Sequence, residues 1–181
     1  MCYRSEVESR GLEYLDDKAT NGRVEQAAKW LCRDLKPGFM LFGRVGSGKS
    51  TLARAMARLV RLLYDDYRLG DKRVGVLSGS ALDLSKAAIV EDRSCFDKYK
   101  FARFLLLDDV GVEPPTVKNW GNEISPVVEL IYYRYDYLKP TIITSNLTFA
   151  EMRQRYGDRV GDRMLEMFNG IEFRQTMSYR K

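Results

Sequence analysis

The chain has 181 residues, 30 Lys plus Arg against 25 Asp plus Glu for a net charge of +5, three Cys and no His. Without histidine there is no Ser-His-Asp triad, no Cys-His pair and no His-bearing zinc site, so acid–base work falls to carboxylates, Lys or Tyr. The length suits one domain with its own core, the three scattered cysteines (Cys2, Cys32, Cys95) suit free thiols in a reducing, cytoplasmic compartment, and no run approaches the roughly 18 apolar residues of a membrane span.

Apolar positions Val24, Ala27, Ala28, Leu31 and Leu35 carry a helical stripe that Lys36-Pro37-Gly38 ends. Four-residue apolar runs follow at Phe39 to Phe42, Val74 to Leu77, Phe104 to Leu107 and Thr141 to Thr144, with a shorter one at Ile171 to Phe173. Runs apolar on both faces suit buried parallel strands. Between them lie helix signals: a Leu/Ala pattern from Ser50 to about Tyr67, Ser125-Pro126 as N-cap and first helical residue, and a capping box at Thr148 and Glu151. This β-α alternation predicts an α/β fold, a parallel sheet covered by helices on both faces. About 36 residues precede the first strand, so residues 1–36 read as a short helical segment ahead of the main unit, residues 37–181.

The strongest motif is GRVGSGKS, Gly43 to Ser50, which satisfies GxxxxGK[ST] between an apolar strand and a helix. Its glycines free the backbone to turn successive N–H groups onto a phosphate, and the helix N-terminus adds partial positive charge. The candidate nucleotide-binding residues are Gly43, Arg44, Val45, Gly46, Ser47, Gly48, Lys49, Ser50 and Thr51. Lys49 reaches for the β- and γ-phosphates of ATP and the Ser50 hydroxyl for Mg²⁺.

The third apolar run delivers Asp108 and Asp109 at its carboxyl end, where open α/β sheets bind ligands. Asp108 is the candidate Mg²⁺ partner and Asp109 the candidate activator of the attacking water. The fourth run ends Thr144-Ser145-Asn146 at the same edge, which makes Asn146 a candidate donor to the γ-phosphate or its water. In RQRYGDRVGDRM, Arg159 and Arg163 share a helical face, with Asp158 and Asp162 beside them as partners for an ion-pair lattice. Arg54, Arg58 and Arg61 line one face of the helix after the loop and read as solvated. The tyrosines of YYRYDY, Tyr132 to Tyr137, spread around a helix and read as packing residues, with base stacking as the other option.

Together GRVGSGKST, LLLDDVG, YRYDYLKPTIITSNL, RYGDRVGDRM and the terminal SYR resemble the AAA+ ATPases of the DnaC/IstB group. The resemblance spans about Pro37 to Arg180. It implies a P-loop NTPase fold of AAA+ type: a five-stranded parallel sheet, with the sensor strand between the phosphate-loop and acidic strands and no C-terminal lid. It also implies Mg-dependent ATP hydrolysis in DNA replication, as a helicase loader or remodeller. The partners implied are single-stranded DNA, a replicative helicase or, for a transposition helper, a transposase, and further copies of the chain. Asn146 matches the family's sensor 1, Arg163 its arginine finger acting in trans, Arg159 the accompanying basic position, and Arg180 sensor 2. The segment from about Ala81 to Lys100 matches the position of the single-strand-binding insertion, although its charges nearly cancel. Two other classes compete: a P-loop small-molecule kinase and a nucleotide-binding scaffold without turnover.

Overall fold

The structure, a computed structural model, describes residues 1–33, 36–65, 75–90, 92–119 and 121–174. In chain order these form α1 (Cys2–Glu8), α2 (Lys18–Arg33), β1 (Gly38–Gly43), α3 (Lys49–Asp65), β2 (Val76–Ser80), α4 (Ala81–Ile89), α5 (Ser94–Phe101), β3 (Phe104–Val110), β4 (Val117–Asn119), β5 (Asn122–Ile124), α6 (Pro126–Asp136), β6 (Thr141–Ser145), α7 (Phe149–Tyr156), α8 (Asp158–Met167) and β7 (Phe168–Phe173). Five strands make one parallel sheet in the order β2-β3-β6-β1-β7, while β4 and β5 pair as a separate antiparallel ribbon.

Alternation along the strands divides the core. Met40, Leu105, Leu107 and Ile143 face α4, α6, α7 and α8, with Leu84, Leu130, Met152 and Met164 on those helices. Phe39, Leu41, Leu106 and Ile142 face α2 and α3, where Trp30, Met56 and Val60 wait. Trp30 stacks on Phe39 with ring centres 5.0 Å apart, which fixes α2 to the sheet. With side chains buried on both faces, β1, β3 and β6 have no polar side to show, which is why they read as continuous apolar runs.

Several boundaries differ from the sequence reading. The second strand runs from Val76 to Ser80 rather than from Val74 to Leu77; Val74 lies outside the described residues. It is an edge strand paired with β3 through Ser80, so backbone bonds carry it past its apolar part. α2 begins at Lys18 because Asp17 accepts hydrogen bonds from the Thr20 N–H and hydroxyl, both at 2.8 Å. The last strand gains Phe168 to Gly170 through pairing with β1. Ser125 occupies the N-cap of α6 with Pro126 behind it, although the Ser125 side chain makes no capping bond. The Thr148–Glu151 capping box is present. Tyr67 and Leu35 lie outside the described residues.

The buried Arg134 of α6 ties this framework together, a task the aromatic YYRYDY run hides. Its guanidinium donates to the carbonyls of Tyr99, Lys100, Ala102 and Pro140 and to the Thr141 hydroxyl. It thereby caps the end of α5 and fixes the entry to β6. Burial pushes its pKa down to about 9, so it remains charged at neutral pH.

Candidate nucleotide site

The site forms where β1, β3 and β6 end together at the carboxyl edge of the sheet. Gly43 leaves β1 with φ of 130°, and a Cβ there would lie 2.5 Å from the Phe173 carbonyl oxygen. Only glycine can turn the chain so close to β7. Gly46 and Gly48 also take positive φ, 78° and 94°, and the loop then enters α3 at Lys49.

Lys49 is buried, and its ammonium donates to the carbonyls of Gly43 and Arg44, both at 2.7 Å, and to Asn146 Oδ1 at 3.0 Å. The sequence-selected lysine and asparagine therefore meet, although 97 residues separate them. One position on, Ser50 Oγ donates to Asp108 Oδ1 at 2.8 Å. A cavity of about 320 Å³ opens beside these groups, lined by Val45 to Thr51, Asp109 and Asn146, and by Arg10, Leu12 and Val112. Gly43 and Arg44 contribute through the carbonyls that hold Lys49.

The two aspartates part company at a bulge. Leu107 pairs with Ile143 but Val110 with Ser145, so Asp108 and Asp109 together oppose Thr144 alone. Asp109 adopts φ of 57°, a left-handed conformation that Asp tolerates better than most residues, and its exposed side chain reaches the cavity rim. Asp108 stays half-buried against Ser50. Thr144 serves both: its hydroxyl donates to Asp108 Oδ1 and accepts from the Asp109 N–H at 2.9 Å. The sequence places Thr144 at this edge without a task, because the bulge that makes it a bridge leaves no mark in the letters.

Beneath the bulge lies a second polar group that the sequence does not reveal. Glu113 is 1% exposed; it accepts from the Gly111 N–H at 2.8 Å and from the Tyr156 hydroxyl of α7, and its backbone carbonyl accepts from Arg155. Burial, then the neighbouring Glu113 charge, pushes the Tyr156 phenol upward, so it stays a donor at all ordinary pH.

Arg54, Arg58 and Arg61 are exposed, as the sequence suggests, and each also finds a partner: Arg54 pairs with Asp108 at 3.2 Å, Arg58 donates to Ser5 Oγ, and Arg61 to Ser78 Oγ at 2.9 Å. α1 and β2 pack beside α3 and supply Ser5 and Ser78, while Asp108 comes from β3. Asp158 and Asp162 pair with Arg153 across the α7–α8 corner, not with Arg159 or Arg163. In the 81–100 segment, Arg93 and Lys100 both bind Glu129 of α6.

Arg163 does not line the cavity. Its guanidinium lies over the rings of Tyr132, 4.1 Å from the centre, and Tyr135, 5.2 Å. Arg159 is exposed on the same helix. Arg180 lies outside the described residues.

Strand order, with β6 between β1 and β3, and the glycine loop leading into α3 define a P-loop fold of the AAA+ type. Solved structures share it. The crystal structure of the DnaC helicase loader matches over 90% of this chain and 94% of that one, with a TM-score of 0.66 and 21% identity. The crystal structure of DnaI matches over 93% and 88%, at 0.65 and 20%. AMPPCP-bound DnaA from Aquifex aeolicus matches over 92% of this chain but 50% of its own, at 0.65 and 20%. No protein-family model and no curated protein matches the sequence. At these identities the likeness is one of fold. Among the described residues, no helix is long and apolar enough to cross a membrane.

Proposed function

We propose that the chain is an ATPase that binds ATP with Mg²⁺ at this edge, hydrolyses it, and works on DNA replication machinery as a helicase loader or remodeller that contacts single-stranded DNA. The observation that carries the proposal is the pairing of Ser50 with Asp108 at 2.8 Å beside a lysine already in contact with Asn146. Residues 37–181 form the ATPase unit and residues 1–36 a segment attached to it.

The donor set fits the ion. Ser50 and Asp108 offer only hard oxygens, which suit Mg²⁺ and leave positions for water and phosphate. When bound, Mg²⁺ supplies charge neutralisation across the β- and γ-phosphates. The chain does the rest. Loop amides and the first turn of α3 hold the phosphates, and Lys49 turns from the Gly43 and Arg44 carbonyls to the γ side. Asn146 fixes the γ-phosphate or its water, and Asp109, exposed at the rim, takes the proton of the attacking water. Arg163 serves a neighbouring copy's nucleotide, and Arg180 the chain's own. The free cysteines Cys2, Cys32 and Cys95 fit a cytoplasmic setting.

Phosphate release by wild type, Lys49→Ala and Asp109→Asn, with and without single-stranded DNA, tests the reading. Lys49→Ala should lose nucleotide binding, while Asp109→Asn should keep it and release phosphate about 10²-fold more slowly or worse. Release indifferent to Asp109 would mark a scaffold, and transfer to an added metabolite would mark a kinase. Either result sinks the proposal.

A further inference from the structure

The cavity has a cation that the phosphate loop does not supply. Arg10 follows α1 and reaches across to α3, where its Nη1 donates to Thr51 Oγ1 at 2.9 Å. Among the described residues that line the cavity, Arg10 and Lys49 are the two cations. We infer that Arg10 is a phosphate-binding residue, and that nucleotide binding is coupled through it to the docking of the N-terminal segment. The inference rests on the nucleotide reading above.

The electrostatics of the site support it. Thr51 stands in the first turn of α3, at the positive end of the helix dipole, where a cation is placed against the field. Glu6 offsets this only in part, at 3.7 Å from the Arg10 Nε, with the Arg10 side chain still 30% exposed. A phosphate chain in the cavity satisfies both the arginine and the helix end, because guanidinium and helix amides are each anion-binding groups. An arginine there is poorly explained by packing and well explained by an anion.

The segment carrying Arg10 is attached to the phosphate-loop helix along its length. Val7 is buried, Ser5 accepts from Arg58 of α3, and the Tyr3 hydroxyl lies 3.8 Å from the point that a Cβ on Gly48 would occupy. The turn after α1 is closed by backbone bonds from Arg10 and Leu12 to Val7. Residues 3 to 12 therefore contact the loop, the helix and the cavity at once. A phosphate that binds Arg10 strengthens the docking of this segment, and by reciprocity a docked segment strengthens phosphate binding.

The test uses the full chain and three probes, ATP, ADP and adenosine, each measured by displacement of a fluorescent ATP analogue. Loss of one charged hydrogen bond to phosphate should weaken ATP and ADP about ten- to hundredfold in Arg10→Ala, leave adenosine unchanged, and be partly restored in Arg10→Lys. ATP affinity unchanged in Arg10→Ala overturns the inference, as does an equal loss for adenosine, which would make Arg10 a mere prop. Amide exchange of residues 2–12 should slow on saturation with ATP in wild type and not in Arg10→Ala; exchange that ignores ATP in wild type overturns the coupling. A melting transition without nucleotide shows that Arg10→Ala is folded, and Lys49→Ala serves as control. If wild type binds no ATP, or Lys49→Ala binds it equally well, the nucleotide reading has failed instead.

Discussion

At the scale of single residues, Thr144 joins the two aspartates of the β3 bulge: its hydroxyl donates to Asp108 and accepts from the Asp109 N–H. Thr144→Val keeps the shape and removes both bonds. It should lower the rate of phosphate release about tenfold or more while changing ATP affinity little, because the loss falls on positioning of the ion and water groups rather than on the phosphate cradle. Steady-state kinetics checks this; a raised KM with unchanged kcat would contradict it. The sequence singles out Lys49 and Ser50 by the fixed spacing of the phosphate-loop motif, and Asp108, 58 residues past Ser50, by its place at the end of an apolar run. It cannot disclose Thr144, Glu113 or Arg10, whose roles come from a bulge, a buried pocket and a docked segment respectively.

Between elements, the α4–α5 pair is held to α6 by charge as well as by packing. Glu129 of α6 binds Arg93 at 2.8 Å and Lys100 at 3.1 Å. Burial works to raise its pKa, but the hydrogen bonds and charges of Arg93 and Lys100 prevail and hold it below the usual carboxylate value of 4.5. The folded state thus releases the proton more readily than the unfolded one. The stabilisation is present above about pH 4.5 and fades as pH falls through the lower folded value. Glu129→Gln should cost about 0.5–1 kcal/mol at pH 7, discounted for the partial exposure of the pair, and the gap to wild type should close in acid. Denaturant melts at pH 7 and below pH 4 measure both. Elements were legible to differing degrees. β1, β3 and β6 declare themselves as apolar runs because both their faces are buried, and α7 declares itself by its capping box. The apolar run before Ser78 marks the edge strand β2 but not its end in Ser78-Gly79-Ser80, and the β4–β5 ribbon, with three residues a side, carries too little apolar pattern to be read.

For the whole molecule, the arrangement of Arg163 bears on assembly. Arg163 is held on Tyr132 and Tyr135 rather than in its own chain's cavity, and on the proposed reading it serves another copy's nucleotide. Arg163→Ala should reduce phosphate release by 10³ or more under assembling conditions. Mixing it with Lys49→Ala should restore part of the activity, since one variant supplies an intact pocket and the other an intact finger; a mixture as inactive as its components would refute action between copies. The sheet order carries a further consequence. β6 is buried along its whole length and bonded on one side to β1, the phosphate-loop strand, and on the other to β3, the acidic strand. A strand gripped from both sides cannot slide without breaking two ladders at once. On the proposed reading the sheet is therefore the stationary part, and the state of a bound nucleotide would pass outward through what rests on its edge: the bulge and Glu113 toward α7, and the cavity wall toward the N-terminal segment.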